Sequence, residues 1–552
     1  MSGVLGTALS GLLASQASLN TTSHNIANVN TDGYSRQRVD LTARTPQFTG
    51  GGYIGQGVSV STVTRSYDQF IANQLTSSTS AFADTSTLST MAARVDNIVS
   101  SEATGLSPSL KSFFNAVNVV ANDPSSISAR QVLTSEAGSL SQQFNRLSAQ
   151  FDDLRNQTNS QMQGTVDDIN SLTNSLATLN NKIVTEFSRA SGTQPPNDLL
   201  DQRDALVTKI AEKISVTSVT QQDGSINLFV GKGQALVLGS NTSKLSLVGS
   251  TADPGHKEVL LGGQEIDKDI SGGELSGAIK FRDQILDPAQ QQLGLVAAGV
   301  AVQFNALHTS GFDLNGDVGT DMFSFGTPAL DVPVIGDAGN VGSITATYDP
   351  LTIGQLTPSD YELTYDGSSN FSLKRLSDNT ITNYAGAAPL TITGPGFSIS
   401  TSATVTANDS FLIRPTFNAA QKMTTLITDP TKIAAAGTTG GSGLPIPGDN
   451  TVALGLANLE KKSSLLGGKT TLNGAYSQLV SKVGTLTHSA KISSSAQEAL
   501  LNQAKQSREN FAGVNLDEEA ANLVKFQQSY QASAQVVSVA NSLFDTLIGA
   551  MR

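Results

Sequence analysis

Asp313, Asn315, Asp317 and Asp321 alternate along the chain in the way that a helix-loop-helix site presents oxygen ligands to calcium. Two positions break the pattern. Val318 stands where such a loop needs glycine for its sharp turn, and Ser324 stands where a bidentate glutamate is required. An Asx-rich turn accounts for the same residues. Gly50, Gly52 and Gly55 match the spacing of a dinucleotide fingerprint, but Val58-Ser59-Val60-Ser61 follows as strand where a helix is needed, so the glycines predict a plain turn. Gly468-Lys469-Thr470 shares the end of a phosphate-binding loop, yet Ser463 occupies its first glycine position and no apolar strand precedes it; a loop before a helix is the better reading. The four histidines, His24, His256, His308 and His488, lie far apart with no paired spacing. The sequence offers no catalytic residue, no metal set and no cofactor motif. A metal-dependent enzyme using Asp313 to Asp321 stays open as the one alternative from that class.

Composition narrows the partners. Forty-six acidic against 34 basic residues give a net charge of −12, and no Lys/Arg cluster or basic aromatic face is present, which argues against nucleic acid and anionic membrane surfaces. Cysteine is absent, so disulfides, zinc-thiolate sites and thiol nucleophiles are excluded together. This suits a cytosolic protein or one exported without oxidative folding. The first basic residue is Arg36, so the apolar patch from Val4 to Leu13 lacks the charged leader of a cleaved signal and reads as mature structure. The longest nearly apolar stretch, Leu293 to Phe304, falls short of the roughly 20 residues that cross a bilayer, which predicts no membrane insertion.

What the chain does carry is a seven-residue apolar repeat at each end. Leu5, Leu12, Leu19 and Ile26 form one stripe, and Leu516, Leu523, Tyr530, Val537 and Phe544 form the other. Such a repeat keeps one line of a helix facing a partner helix. The companion seam is thin: Ala8, Ser15, Thr22 and Val29 in front, Glu519, Phe526, Ser533, Ala540 and Leu547 behind. A helix of about 35 residues reaches roughly 50 Å, and a seam this poor leaves its order to packing against something else. The two ends therefore predict assembly with each other and with neighbouring chains.

Between the ends, at 552 residues, roughly three or four domains are expected. Turn formers from Asn28 to Tyr34 stop the first helix, and extended segments run from Arg36 to Val63. Phe144, Leu147, Phe151 and Leu154 make one long-helix stripe; Val166, Ile169, Leu172, Leu176, Leu179 and Ile183 make another beyond Gly164. Pro195-Pro196-Asn197 offers a cap for the helix carrying Leu199 and Leu206, and Asp223-Gly224 a hairpin between Val216–Thr220 and Ile226–Val230. Helical spacing returns from about Ile285 to Leu307. A Gly-, Thr- and Ser-rich β stretch runs from about Asp313 to Pro415, a Gly-rich loop covers Gly437 to Gly448, and Asn515 with Glu518 makes a capping pair for the last helix.

The fold class expected is mostly α with β insertions (α+β): terminal coiled-coil helices, a long-helix bundle and a β-rich inserted domain. The division is 1–40 with 515–552 as the terminal assembly domain, 41–215 with 282–312 and 416–514 as the bundle, 216–281 as a small β insert, and 313–415 as an outer β domain. Leaving and returning along helices brings the two termini to one pole of a rod.

Ala27-Asn28-Val29-Asn30-Thr31-Asp32-Gly33-Tyr34-Ser35-Arg36-Gln37 resembles the N-terminal signature of the flagellar rod, hook and hook-associated protein family, and its Ser-Arg-Gln extension is similar to the FlgK-type members. Val514 to Leu523, with Gln527-Gln528-Ser529-Tyr530, resembles their C-terminal signature, and further matches fall at Asp198 to Asp204 and at Asn305 to Gly316. Asp32 replaces a common proline, with Gly33 keeping the turn. The resemblance implies a structural, non-enzymatic protein of the secreted, extracellular bacterial flagellum at the hook-filament junction, exported by the flagellar type III apparatus. It implies as partners copies of itself in a ring or helical layer, the hook protein, the second junction protein FlgL, and the export chaperone FlgN at the C-terminal region. Asn28, Thr31, Gly33 and Tyr34 would form its signature turn. A flagellin-like filament subunit is the alternative within the same class.

Overall fold

The chain leaves its starting pole on one helix and returns to it on another. The fold is known from a computed structural model, which describes all residues except 1, 49, 102–104, 191–192, 251–252, 254, 327–329, 440–442, 445, 447 and 551–552. Helix α1 (Ser2–Ala27) stops at the Asn28–Gly33 turn, where Gly33 has φ +83°. Strand β1 (Gln37–Ala43) then pairs antiparallel with β4 (Val58–Arg65) in a ribbon. Between them β2 (Gln47–Phe48) and β3 (Tyr53–Ile54) make a short hairpin, with Gly50 and Gly52 at positive φ, so the glycine triplet serves a turn. Helix α2 (Gln69–Val99) is capped by Asp68, which accepts from the amides of Phe70 and Ile71. It is followed by α3 (Leu106–Asn122) and α4 (Ile127–Arg189).

The two stripes expected on either side of Gly164 belong to one unbroken helix. At 63 residues α4 spans about 95 Å, and all but Leu172 of the residues named in those stripes are buried along it. Helix α5 (Asn197–Lys213) corrects the proposed cap. Asn197 is already the first helical residue; its amide donates to Val63 O at 2.7 Å and so ties the helix to the ribbon.

Strands β5 (Val216–Thr220) and β6 (Ile226–Val230) form the hairpin across Asp223-Gly224, extended by β7 (Gln234–Leu238) and β8 (Asn241–Thr242). A second, three-stranded sheet follows from β9 (Leu245–Gly249), β10 (Lys257–Leu261) and β11 (Gln264–Glu265). Two asparagines of α4 hold these sheets. Asn180 bonds both the amide and carbonyl of Ile226, and Asn170 does the same for Leu245. Helical structure resumes earlier than Ile285, at α6 (Gly273–Phe281), which runs through a π-helical turn at Arg282–Leu286 into α7 (Asp287–His308). Gly277 explains why α6 lies so close to α2: a Cβ there would sit 2.5 Å from Asp84 O.

After β12 (Phe323–Ser324), nine strands build the outer β unit: β13 (Asp331–Val332), β14 (Val334–Gly336), β15 (Ile344–Tyr348), β16 (Tyr361–Tyr365), β17 (Asn370–Arg375), β18 (Ile381–Ala385), β19 (Thr391–Thr393), β20 (Phe397–Thr401) and β21 (Ser410–Ile413). They form two antiparallel sheets, ordered β13-β15-β20-β19 and β14-β21-β16-β17-β18. Tyr361 of one meets Phe397 of the other with ring centres 5.1 Å apart. Alternate residues point inward, which is why Tyr361, Leu363 and Tyr365 are all buried. The chain returns through α8 (Ala419–Lys422) and β22 (Thr424–Thr425), which pairs with β12. Helices α9 (Thr451–Asn458), α10 (Leu472–Ala512) and α11 (Leu516–Ala550) finish the chain. The loop expected at Gly437 to Gly448 falls partly outside the described residues. The whole is a mixed α+β protein with helical termini, whose long helices α2, α4, α7 and α10 carry much of the core.

Candidate assembly site at the terminal helices

Helices α1 and α11 pack against each other in opposite directions: Gly11 lies against Ser533 and Asn25 reaches Glu519. The seam between them is the small one. Ala8, Ser15 and Thr22 are buried, and a Cβ on Gly11 would come 3.1 Å from Ser533 Oγ, so small side chains let the backbones approach. Leu12, Leu19 and Ile26 are half-buried at the edge of this seam, and Leu5 is 39 % exposed. A straight α-helix drifts about 20° per heptad against a 3.5-residue repeat, which turns the leucine line progressively outward toward the N-terminus. On α11, Leu523, Tyr530 and Val537 are half-buried, while Leu516 and Phe544 are half-exposed, at 50 % and 52 %. The expected stripes thus lie partly in the helix pair and partly on its outside. Leu547 of the second seam has a side chain outside the described residues.

At the inner end of this pair three of the four matched segments converge: the N-terminal signature, Asp198 to Asp204, and the C-terminal signature. Asn25 is its centre. Its carbonyl oxygen accepts from Gln37 N at 3.0 Å and from the Tyr34 hydroxyl at 2.8 Å, and its amide donates to Gln37 O and to Glu519 Oε2. Arg36 donates to Glu519 Oε1 at 2.8 Å and Glu518 Oε2 at 2.7 Å, closing β1 onto α11. Asn515 does cap α11, accepting from Asp517 N at 2.9 Å, but Glu518 turns to Arg36 instead of reaching back. The predicted reciprocal cap is half formed, because a guanidinium is a stronger partner for that carboxylate than an amide.

The middle of the chain supplies the floor. Ser35 N donates to Asp201 Oδ2 at 2.8 Å, Gln37 Nε2 donates to Asp198 Oδ1 at 2.7 Å, and Arg65 bridges Asp201 and Asp204 at 2.7 Å each. Burial pushes the Asp201 carboxyl up against the opposing pull of Arg65. Arg508 of α10 donates to Tyr34 O, and Arg36 N donates to Ala512 O. Burial, then the charges of Asp198, Asp201 and Glu519, push the Tyr34 phenol up, which keeps its proton available for Asn25. Of the signature turn, Asn28 and Thr31 bond each other at 3.1 Å, and Gly33 needs its glycine twice, for positive φ and because a Cβ would stand 3.2 Å from Ala205 Cβ. Asn25, Arg65 and Arg508 were missed from the sequence. Arg36, the chain's first basic residue, was the one signal that charge pairing waits here.

The residues weighed for chemistry serve structure instead. Asp313 Oδ1 accepts from the amides of Asn315 and Asp317, an Asx turn, and the Lys432 ammonium lies 3.2 Å from Asp313 and 2.8 Å from Asp317. An internal cation already sits where calcium was considered. His308 is buried, its Nδ1 2.6 Å from Thr320 O and its Nε2 accepting from Ala434 N, and burial pushes it down to about 4. His24 lies by Tyr34, and His488 is exposed. Gly468-Lys469-Thr470 closes a turn bridged by Leu465 and Thr470 just before α10. Among the described residues, His256, Asp283 and Asp287 do bring ligand atoms within 4.8 Å of one another, but Arg282 holds Asp283 at 2.6 Å and Arg155 holds Asp287 at 2.7 Å. Among the described residues no helix is long and apolar enough to cross a membrane.

Terminal helices that hold each other by a thin seam, with a β ribbon tied beside them and a helical core behind, describe a protein whose two chain ends form one unit with apolar side chains left exposed on it. Family models agree along the chain. "Flagella basal body rod protein" matches residues 5–34, "Flagellar hook-associated protein FlgK helical domain" 92–323, "Flagellar hook-associated protein 1, D2-like domain" 335–415, and "Flagellar basal body rod FlgEFG protein C-terminal" 505–550. The chain is 36% identical to flagellar hook-associated protein 1 of Salmonella typhimurium and 34% identical to that of Escherichia coli, over 99% of this chain and 100% of each relative. The flagellar hook junction protein FlgK of Burkholderia pseudomallei has a similar structure, with a TM-score of 0.70 at 27% identity, covering 79% of this chain and 99% of that one. The chain belongs to the FlgK family of flagellar hook-associated proteins, structural components of the hook-filament junction.

Proposed function

We propose that the chain works as a non-enzymatic adaptor that joins hook to filament by ordering its terminal helices against neighbouring subunits. The single observation that carries this reading is the α1–α11 pair, which is closed by small residues inside and leaves Leu5, Leu516 and Phe544 half-exposed outside. Neighbours would cover those residues: other copies of the chain in one layer, hook protein on one side and FlgL on the other. Leu12, Leu19, Ile26, Leu523, Tyr530 and Val537 act at the edge of the same interface, and the Asn28–Tyr34 turn fixes its angle to the core.

The same thinness suits passage through the flagellum in an unfolded form, shielding of the C-terminal helix by FlgN beforehand, and ordering outside the cell once contacts offset the entropy lost. The domain division follows, with 1–40 and 515–552 as the assembly unit, the helical bundle as support, and residues 216–281 and 313–415 facing outward. Deleting residues 516–552 in a strain lacking its own copy tests this. The expected result is a soluble, folded core and cells whose hooks bear no filament; normal filaments on the truncated protein overturn the reading.

A further inference from the structure

The β1–β4 ribbon ends in an apolar tip that stands exposed among the described residues. Tyr53 is 76 % exposed, Phe48 63 % and Ile54 54 %, and the two rings meet at a tilt of 59° with centres 5.4 Å apart. Three exposed large apolar residues on an eight-residue hairpin form a patch of the kind that marks a contact surface. A second uncovered strip lies on α1, where Leu9 and Leu13 are each 51 % exposed beside Leu5.

The geometry relates the two patches. The ribbon lies along α1, with Gln37 bonded to Asn25 at one end and Val58 N donating to Ser10 Oγ at the other. The fifteen steps of helix from Ser10 to Asn25 rise about 22 Å, and the seven extended steps from Gln37 to Arg44, which bonds Gly57, rise about 23 Å. The ribbon therefore keeps step with the helix, and its tip lies past Ser10, at the end of α1 that carries the leucine strip. Around the helix axis the two are separated. At 100° per residue, Thr7 and Ser10, which pack on Gly57, point about 130° away from Leu5, Leu9 and Leu13. The remaining side of α1 is taken by α11. The tip therefore cannot fold back onto the leucines of its own chain.

We propose that the hairpin tip of one subunit, Phe48, Tyr53 and Ile54, docks on the Leu5-Leu9-Leu13 strip of the next copy of this chain. Two different patches at one height on different sides of a subunit make a head-to-tail contact, which closes a ring or continues a helical layer. An isologous tip-to-tip pair would leave the leucine strip bare. The inference rests on the adaptor reading above in that copies of the chain must stand side by side.

The chain has no cysteine, so two can be placed at will. Tyr53→Cys and Leu9→Cys are co-expressed as separate full-length chains in a strain lacking its own copy, and sheared flagella are treated with a mild thiol oxidant. Disulfide-linked dimers are expected only when both variants are present, and not from either alone. Absence of the mixed dimer in flagella that carry normal filaments overturns the docking and leaves the adaptor reading standing. A Tyr53→Cys chain linked instead to a second Tyr53→Cys chain overturns it too. A wild-type chain that fails to attach filaments in the same strain sinks the adaptor reading itself. As a second measurement, Phe48→Ser with Tyr53→Ser is expected to lower filament attachment about tenfold or more, with the thermal unfolding of the monomer unchanged; undiminished attachment contradicts the docking.

Discussion

Glu519 has a side chain only 2 % exposed; among the described contacts its charge is balanced by Arg36 alone, and its other oxygen accepts from the Asn25 amide. Replacing it with alanine leaves the Asn25 amide and the Arg36 guanidinium short of a partner, so Glu519→Ala should destabilise the docking of α11 by about 1–3 kcal/mol. Amide exchange across residues 516–550 should then quicken while the core remains protected; unchanged exchange contradicts the role. His308 gives a prediction with a definite sign. Burial lowers its folded pKa to about 4, below the ordinary 6.5, so the unfolded chain binds the proton first as pH falls. Stability is complete above 6.5 and declines toward 4, by about 3 kcal/mol from this group. In urea titrations His308→Asn should flatten that part of the slope between pH 6.5 and 4; an identical slope shows that the acid sensitivity arises elsewhere. Burial pushes Asp360 in the opposite direction, despite Arg414 beside it, so its contribution in that range has the opposite sign.

Elements built on periodicity were the legible ones. The ends of α1, the β5–β6 hairpin and the stripes of α4 follow from spacing and turn residues, because a local rule decides each. Where tertiary partners decide, the sequence was silent. Asn197 became a tie to the ribbon, Glu518 an ion-pair partner, and α6 began twelve residues early because its small residues fit under α2. The terminal repeats were visible as repeats, yet which line faces inward depends on backbone approach: Gly11 and Ala8 permit it and the leucines do not. Gly11→Leu should therefore wedge α1 from α11 at the Ser533 contact. Limited proteolysis of the monomer should then cut within residues 2–27 and 516–550 faster than in the wild type, and equal cleavage rates exclude a close seam.

For the whole molecule, order should be graded from the core outward. Helices α2, α4, α7 and α10 share one buried cluster, whereas Glu519 is the one fully buried side chain of α11 among the described residues. A dilute, unassembled sample should show fast amide exchange in α1 and α11, over a protected middle. Slow exchange at both ends would mean that the pair is self-sufficient, and the need for neighbours would fall away. The class of protein was readable from the motifs at Asn28, Asp198 and Asn515. Their meeting in one place was not, because 161 residues separate Gln37 from Asp198 and 482 separate Arg36 from Glu518.

That last separation sets an order of events. Arg36 finds Glu519 only after almost every other residue has been made or delivered, and closing so long a loop is an entropic cost met late. The two ends of the chain are thus the last parts to meet, like a clasp fastened when the strap is already in place, and a subunit that arrives truncated can never fasten it.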